Sequence, residues 1–243
     1  MIGVLFGDLE VEIDPRTASL GGAWEKRTRN DGKLYAQDQG TLEFFWKRVC
    51  EIECPVVVDV GASTGSFSLV ASVYADASVI AFEPHPTVYD VLITNLALNG
   101  VLSTSAALML ALANYDGRAV LRAPKRQTGF GTIGEGPLRA KSRDISRLDE
   151  IVQYDVDVRR MDVFFGESDR VDIVKIDVEG AELLVLRGGE LMIRRWMPAL
   201  LLEHDARNIA QFDYAPSEII ALLTQWGYTK FEHVGEYDLW VTD

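Results

Sequence analysis

The chain has 243 residues, 48% of them hydrophobic, and a formal net charge of −13 at neutral pH. That length and apolar content allow one sizeable core and make one compact domain the economical reading. The acidic balance argues against nucleic acid as a partner, which needs a basic face, and no apolar run approaches the roughly 20 residues that would insert in a membrane.

Residues 1–10 lack a basic region and a cleavage-like segment, so no secretory signal is expected and a cytoplasmic location is. The first fifty residues, with Gly21-Gly22 and the stretch from Arg27 to Gly32, predict loops and short elements. Residues 41–50 have helical spacing, with Leu42, Phe45, Trp46 and Val49 on one face. Cys50 and Cys54 form C-x-x-x-C without further ligand residues nearby, which reads as two buried free thiols rather than a metal or redox pair.

The first dense signature follows. Val56-Val57-Val58-Asp59-Val60 predicts a strand that runs into Gly61-Ala62-Ser63-Thr64-Gly65 and a helix over 66–74, with Ser66 as its cap. A second strand, 78–82, ends at Glu83-Pro84. A glycine turn that opens a helix, with a carboxylate closing the next strand, is how an α/β sheet builds a nucleoside site. Glu83 is placed to accept hydrogen bonds from two ribose hydroxyls. Ser63 stands where a dinucleotide fold wants its second glycine, and Asp59 would oppose a diphosphate in the mouth of the loop. A ligand with a cationic amine and no phosphate suits that carboxylate better, which favours S-adenosylmethionine (SAM) over NAD.

Further along, a helix is expected over 87–98, closed by Asn99-Gly100, then strands near 107–112 and 119–122. The polar stretch 123–147 reads as a long excursion. A strand over 171–176, a short helix ending at Gly188-Gly189, a strand over 199–203, a helix over 216–226 and strands 229–232 and 237–242 complete the chain. The repeated β-α alternation predicts a parallel sheet covered by helices. The last two strands have no helix between them, so they form a hairpin whose final strand is antiparallel to its neighbours.

The second dense signature is Lys175-Ile176-Asp177-Val178-Glu179-Gly180-Ala181-Glu182. Carboxylates packed this tightly at a strand end need something positive beside them: a sulfonium, a metal ion, Lys175, or a proton on one member. Glu182 also reads simply as an acidic residue opening a helix.

Taken with Leu200-Leu201-Leu202-Glu203-His204, the two signatures resemble those of the FkbM family of SAM-dependent methyltransferases, over roughly residues 55–205. The intermediate segments 111–117 and 158–164 are part of that likeness. The family often has Asn-Ile where this chain has Ser63-Thr64. The resemblance implies a class I methyltransferase fold: a Rossmann-like, seven-stranded, mostly parallel sheet with an antiparallel last strand and helices on both faces. It implies O-methylation of a saccharide or natural-product hydroxyl on a small-molecule or glycan acceptor. Residues 51–243 would be the SAM-binding unit, with 1–50 and 123–147 choosing the substrate, the former as a recognition or lid segment.

By position, Asp59, Gly61, Ser63 and Gly65 would frame the methionine end of SAM with help from Ser66. Glu83 would hold the ribose, and Ala113-Asn114 would lie near the adenine. A hydroxyl nucleophile needs help in losing its proton, and Asp177, Glu179, Glu203 and His204 are the candidate bases. Asp177, Glu203 and His204 are also a possible divalent-metal set. Each has a plainer reading: His204 as a surface residue, Glu203 as an ion-pair partner. His85 reads as a surface residue near the adenosine and His233 as peripheral. Trp24, Tyr35, Phe130, Arg27 and Arg126 could contact an acceptor, with ordinary packing and solvated charge the simpler account. Two other functions stay open: an NAD-dependent oxidoreductase, and a SAM-binding scaffold subunit without catalysis.

Overall fold

The structure is a computed structural model and describes residues 2–6, 9–20, 27–28, 34–35, 39–125, 131–135, 150–203 and 205–242. The chain opens with strands β1 (Ile2–Phe6) and β2 (Leu9–Ile13), the short helix α1 (Thr17–Leu20), and strands β3 (Arg27–Thr28) and β4 (Leu34–Tyr35). These four strands form one small sheet in the order β2-β1-β4-β3. Helix α2 (Gln39–Cys50) then leads into the alternating part, and buries Thr41, Leu42, Phe45 and Val49 as its apolar spacing requires.

The alternating part begins with β5 (Val56–Val60), α3 (Ser66–Tyr74), β6 (Ser78–Phe82), α4 (Pro86–Leu98) and β7 (Ser105–Leu108). A three-stranded sheet follows, built from β8 (Ala111–Leu112), β9 (Gly117–Pro124) and β10 (Ile151–Arg159). Then come β11 (Ile173–Ile176), α5 (Glu182–Gly188), α6 (Glu190–Trp196), β12 (Ala199–Glu203), α7 (Ala206–Ile209), α8 (Pro216–Gln225), β13 (Thr229–Val234) and β14 (Tyr237–Val241).

The main sheet has seven strands in the order β13-β14-β12-β11-β5-β6-β7. Strands β12, β11, β5, β6 and β7 run parallel, and β14 is antiparallel to both β12 and β13. The final hairpin therefore forms as expected, with β14 inserted between β13 and the parallel strands. Alternation along each strand divides the core. Val57, Val79, Ala81, Ile173 and Leu201 pack with Leu42, Phe45, Leu69, Leu92 and Leu96 of α2, α3 and α4. Val58, Val60, Val174, Ile176, Leu200 and Leu202 pack with Leu183, Leu186, Ile193 and Leu223 of α5, α6 and α8. Both faces of the sheet are covered, which is why its central strands read as continuous apolar runs.

The chain departs from its sequence reading in several places. The strand expected near 107–112 is two strands, because β7 pairs with β6 whereas β8 turns away to pair with β10. Strand β10 was not among the expected elements, although Val152, Tyr154, Val156 and Val158 alternate with Gln153, Asp155 and Asp157. It zips along the whole of β9. Of the excursion at 123–147, residues 126–130 and 136–147 lie outside the described residues, while Thr132 folds back to bridge Arg122. The two cysteines are free but exposed, not buried, because they sit at the outer end of α2 and in the turn after it. Among the described residues, no helix is long and apolar enough to cross a membrane.

A crevice with a glycine turn on one side and carboxylates on the other

Strands β5 and β6 end side by side, and the turn after β5 is tied to the end of β6. Gly61 and Ala62 both donate backbone N–H groups to the Phe82 carbonyl, at 2.9 and 3.0 Å. Gly61 has φ 73°, and a Cβ there would lie 1.8 Å from the Asp177 carbonyl oxygen, so only glycine fits between the two strand ends. Gly65 has φ 94° and abuts Leu92 of α4.

Ser66 is not the helix cap expected from its residue type. It is the first helical residue, and the cap position belongs to left-handed Gly65, which offers no side chain. The first N–H groups of α3 are thus left without a side-chain acceptor. Beside them, Ser63 Oγ and Thr64 Oγ1 are buried and have no hydrogen-bond partner among the described residues. Buried polar atoms without partners are costly, and a polar ligand in the crevice would satisfy them.

Glu83 is 7% exposed. Its Oε2 accepts the Ser63 N–H at 2.9 Å and its Oε1 accepts the His85 N–H at 2.8 Å. Burial raises its pKa to about 7, against the pull of those two N–H groups and of Lys175. Each carboxylate oxygen keeps a further lone pair for a donor such as a hydroxyl. His85 is not the surface residue expected. It is 1% exposed, caps α4 by accepting the Val88 N–H at its Nδ1, and packs against Tyr154 with ring centroids 4.4 Å apart. Burial lowers its pKa, so the ring stays neutral.

Asp59 and Lys175 form the floor. They are directly opposed on β5 and β11 and point to the same sheet face. Asp59 is fully buried; its Oδ2 accepts the Ser68 hydroxyl at 2.6 Å and its Oδ1 lies 3.2 Å from Lys175 Nζ. The carboxylate thus faces inward to Ser68 and Lys175, and Asp59 shapes the loop from beneath. Lys175 Nζ donates to the Gly61 carbonyl at 2.7 Å, lies 3.8 Å from Asp177 Oδ2, and sits 5.2 Å above the Phe67 ring. Burial is the largest influence on the lysine and favours discharge, yet Asp59 and Asp177 outweigh it and hold its pKa above the usual lysine value.

Across the crevice, Asp177, Glu179 and Glu203 bring one carboxylate oxygen each to within 4.8 Å of one another. Tyr237, opposite Glu203 on β14, donates its hydroxyl to Asp177 at 2.6 Å. Asn208 donates to Glu179 at 2.6 Å, and Glu179 takes the left-handed φ of 54°. Of the carboxylates proposed as bases, all three meet; His204 lies outside the described residues. Glu182 is buried and turns back on its own loop, accepting the Val178 and Gly180 N–H groups at 3.2 and 3.0 Å. Burial raises it to about 7. Tyr237 and Asn208 escaped the sequence reading because they reach the crevice from elements remote in the chain, and Phe67 because a buried aromatic on α3 reads as ordinary core.

The remaining residues fall to the margins. Ala113 is fully buried, with its carbonyl against Gly188 of α5, while Asn114 is exposed. His233 is peripheral as expected, 60% exposed and 2.7 Å from Asp238. Trp24, Phe130 and Arg126, and the side chains of Arg27 and Tyr35, lie outside the described residues.

A profile of the methyltransferase FkbM domain matches residues 59–230. The chain is 33% identical over 184 residues to methyltransferase sdnD of Sordaria araneosa, covering 63% of this chain and 71% of that protein. It is 29% identical over 181 residues to methyltransferase 1 of Beauveria bassiana, covering 65% and 72%. In fold it is similar to the crystal structure of methyltransferase FkbM from Methylobacillus flagellatus KT, with a TM-score of 0.52 and 17% identity. That likeness covers 77% of this chain but 43% of the other, so this chain spans less than half of that protein.

The floor makes a testable demand. Lys175→Met strands Asp59 as a buried unpaired charge and is expected to cost about 3–5 kcal/mol of stability, read by urea unfolding. Lys175→Met combined with Asp59→Asn should recover a large part of the loss. A simple sum of the two single effects would show that the residues do not act as a pair.

Proposed function

Because this chain belongs to the FkbM family of methyltransferases, we propose that it is a SAM-dependent O-methyltransferase acting on a hydroxyl of a saccharide or natural-product acceptor. The observation that carries this reading is the pairing, across one sheet edge, of an uncapped glycine turn and Glu83 with the carboxylates Asp177, Glu179 and Glu203. The donor side fits SAM: Ser63 Oγ and Thr64 Oγ1 are unsatisfied where its amino-acid end would lie, and Glu83 has acceptor capacity for two ribose hydroxyls. Ser63 stands where a dinucleotide fold has the glycine that makes room for a pyrophosphate, which disfavours NAD. The carboxylates disfavour a scaffold role, since donor binding alone has no use for them.

When bound, SAM supplies a methyl group on a sulfonium, open to in-line displacement by an oxygen nucleophile. The protein's task is to hold that oxygen about 3 Å from the methyl carbon and to take its proton. As the new oxygen–carbon bond forms, the sulfur–carbon bond breaks and its electron pair stays on sulfur. The hydroxyl proton passes to a carboxylate of the Asp177, Glu179 and Glu203 group. A divalent metal fits this group less well. The Tyr237 hydroxyl, the Asn208 amide and the Lys175 ammonium already serve two of the three carboxylates, and a cation would face Lys175 across a few ångströms. The net charge of −13 favours a neutral or cationic acceptor over a polyanion.

Incubating a panel of hydroxylated acceptors with isotopically labelled SAM tests the reading directly. A labelled ether product supports it, and label on nitrogen or carbon overturns the O-methylation part. Turnover should survive a chelator such as EDTA; its abolition, with recovery on adding a divalent ion, would restore the metal. Asp177→Asn is expected to lower kcat by about 10²–10⁴-fold while SAM affinity changes little.

Glu83 makes the donor step pH-dependent. A ribose diol donates to the carboxylate form, whereas the free site holds a proton below about pH 7. Binding therefore releases a proton, and SAM affinity should rise from pH 6 to pH 8 and then level off. Calorimetry in buffers of different ionisation heat reads that proton. Glu83→Gln should bind more weakly, with a flat profile; a wild-type affinity that falls with pH contradicts the assignment.

A further inference from the structure

We propose that Asn95 is a positioning residue for the methyl donor, joining the N-terminal segment to the turn that receives the donor's amino-acid end; this rests on the donor reading above. Asn95 lies on α4 and is completely buried. Its Nδ2 donates to the Thr64 carbonyl at 2.8 Å and to Thr17 Oγ1 at 3.2 Å. Its Oδ1 accepts the Asp14 N–H at 2.7 Å. One amide therefore ties the donor turn to both Asp14 and α1.

What Asn95 holds is a single peptide unit at the centre of the turn. The Thr64 carbonyl is taken by Asn95, and the N–H at the other end of the same peptide, that of Gly65, donates to the Ala62 carbonyl at 2.9 Å. A planar trans peptide gripped at both ends cannot rotate. Just before it, Ser63 at φ 50° takes a left-handed conformation that a non-glycine residue keeps only with outside support, whereas Gly65 takes φ 94° freely. That peptide sets the direction in which the first N–H groups of α3 point, which makes it the element of the turn that a donor's carboxylate reads.

The other end of the tie is equally built. One turn further on, Asn99 at the C-terminal cap of α4 exchanges two hydrogen bonds with the Glu12 backbone, accepting its N–H at 3.1 Å and donating to its carbonyl at 2.7 Å. Val11 and Ile13 are 1% and 2% exposed and join the core with Leu92 and Leu96. Arg16 clasps Asp14 and closes the bend that brings buried Thr17 under Asn95. Residues 11–17 thus lie on α4 as a fixed backing for the donor turn.

The discriminating experiment compares two ligands. S-adenosylhomocysteine carries the amino-acid end; 5′-methylthioadenosine has the same nucleoside and thioether without it. Asn95→Ala is expected to weaken S-adenosylhomocysteine about tenfold or more, the scale of one lost buried hydrogen bond, and to change methylthioadenosine by less than about twofold. Equal losses for both ligands, or none for S-adenosylhomocysteine, would overturn the proposal. Hydrogen exchange on the unaltered protein provides a reading that does not depend on the variant folding. S-adenosylhomocysteine should slow exchange over residues 12–20 more than methylthioadenosine does, and equal protection counts against the tie. Wild-type protein that binds neither ligand would instead sink the donor reading itself.

Discussion

A lysine in the middle of a covered β-sheet is the constraint on which the crevice depends. Lys175 occupies a strand buried on both faces, where an uncompensated ammonium would cost several kcal/mol. It is tolerated because the opposing residue on β5 is Asp59, and because the Gly61 carbonyl and the Phe67 ring face take up the rest of its field. The same ammonium reaches Asp177 at the end of its own strand. One buried charge therefore braces the glycine turn from below and holds a carboxylate on the other side of the crevice. The positive partner that three crowded carboxylates demand is supplied by the chain itself.

Around this pair the backbone is strained where the two strands end. Ser63 and Glu179 are both left-handed without being glycine, and each follows a parallel strand that stops at the crevice. Both are secured by their surroundings: Ser63 through its N–H to Glu83, Glu179 through its carboxylate to Asn208 and its carbonyl to Thr132. Gly61 and Gly180 complete the pattern, the first closed against Asp177 and the second against Asn208. Strain of about 1–3 kcal/mol per residue persists only where packing over-determines it. Here it presents the turn's polar atoms on one side and the carboxylates on the other.

Much of this was legible in the sequence. The strand 56–60, the helix 66–74 and the strand 78–82 coincide with β5, α3 and β6, since β-branched runs bounded by glycine leave little choice. Of the carboxylate signature, Asp177 and Glu179 meet at one sheet edge with Glu203 from β12, while Glu182 turns back on its own loop. What escaped involved long-range partners. His85 is drawn under Tyr154 of a sheet whose alternating strand is interrupted by acidic residues. Ser66 lost its capping role because Gly65 takes a left-handed turn that a residue's type alone does not announce.

The residue order by itself determined most elements of the main sheet, the final antiparallel hairpin and the two strand ends that face the crevice, because each follows from local periodicity, turn residues and the right-handed crossover. Only the tertiary structure decided that Lys175 pairs with Asp59, that Tyr237 and Asn208 steady the carboxylates, and that Asn95 links the N-terminal segment to the glycine turn. These contacts join residues far apart in the chain, whose meeting depends on strand order and register across the whole sheet. Local pattern carries no information about either.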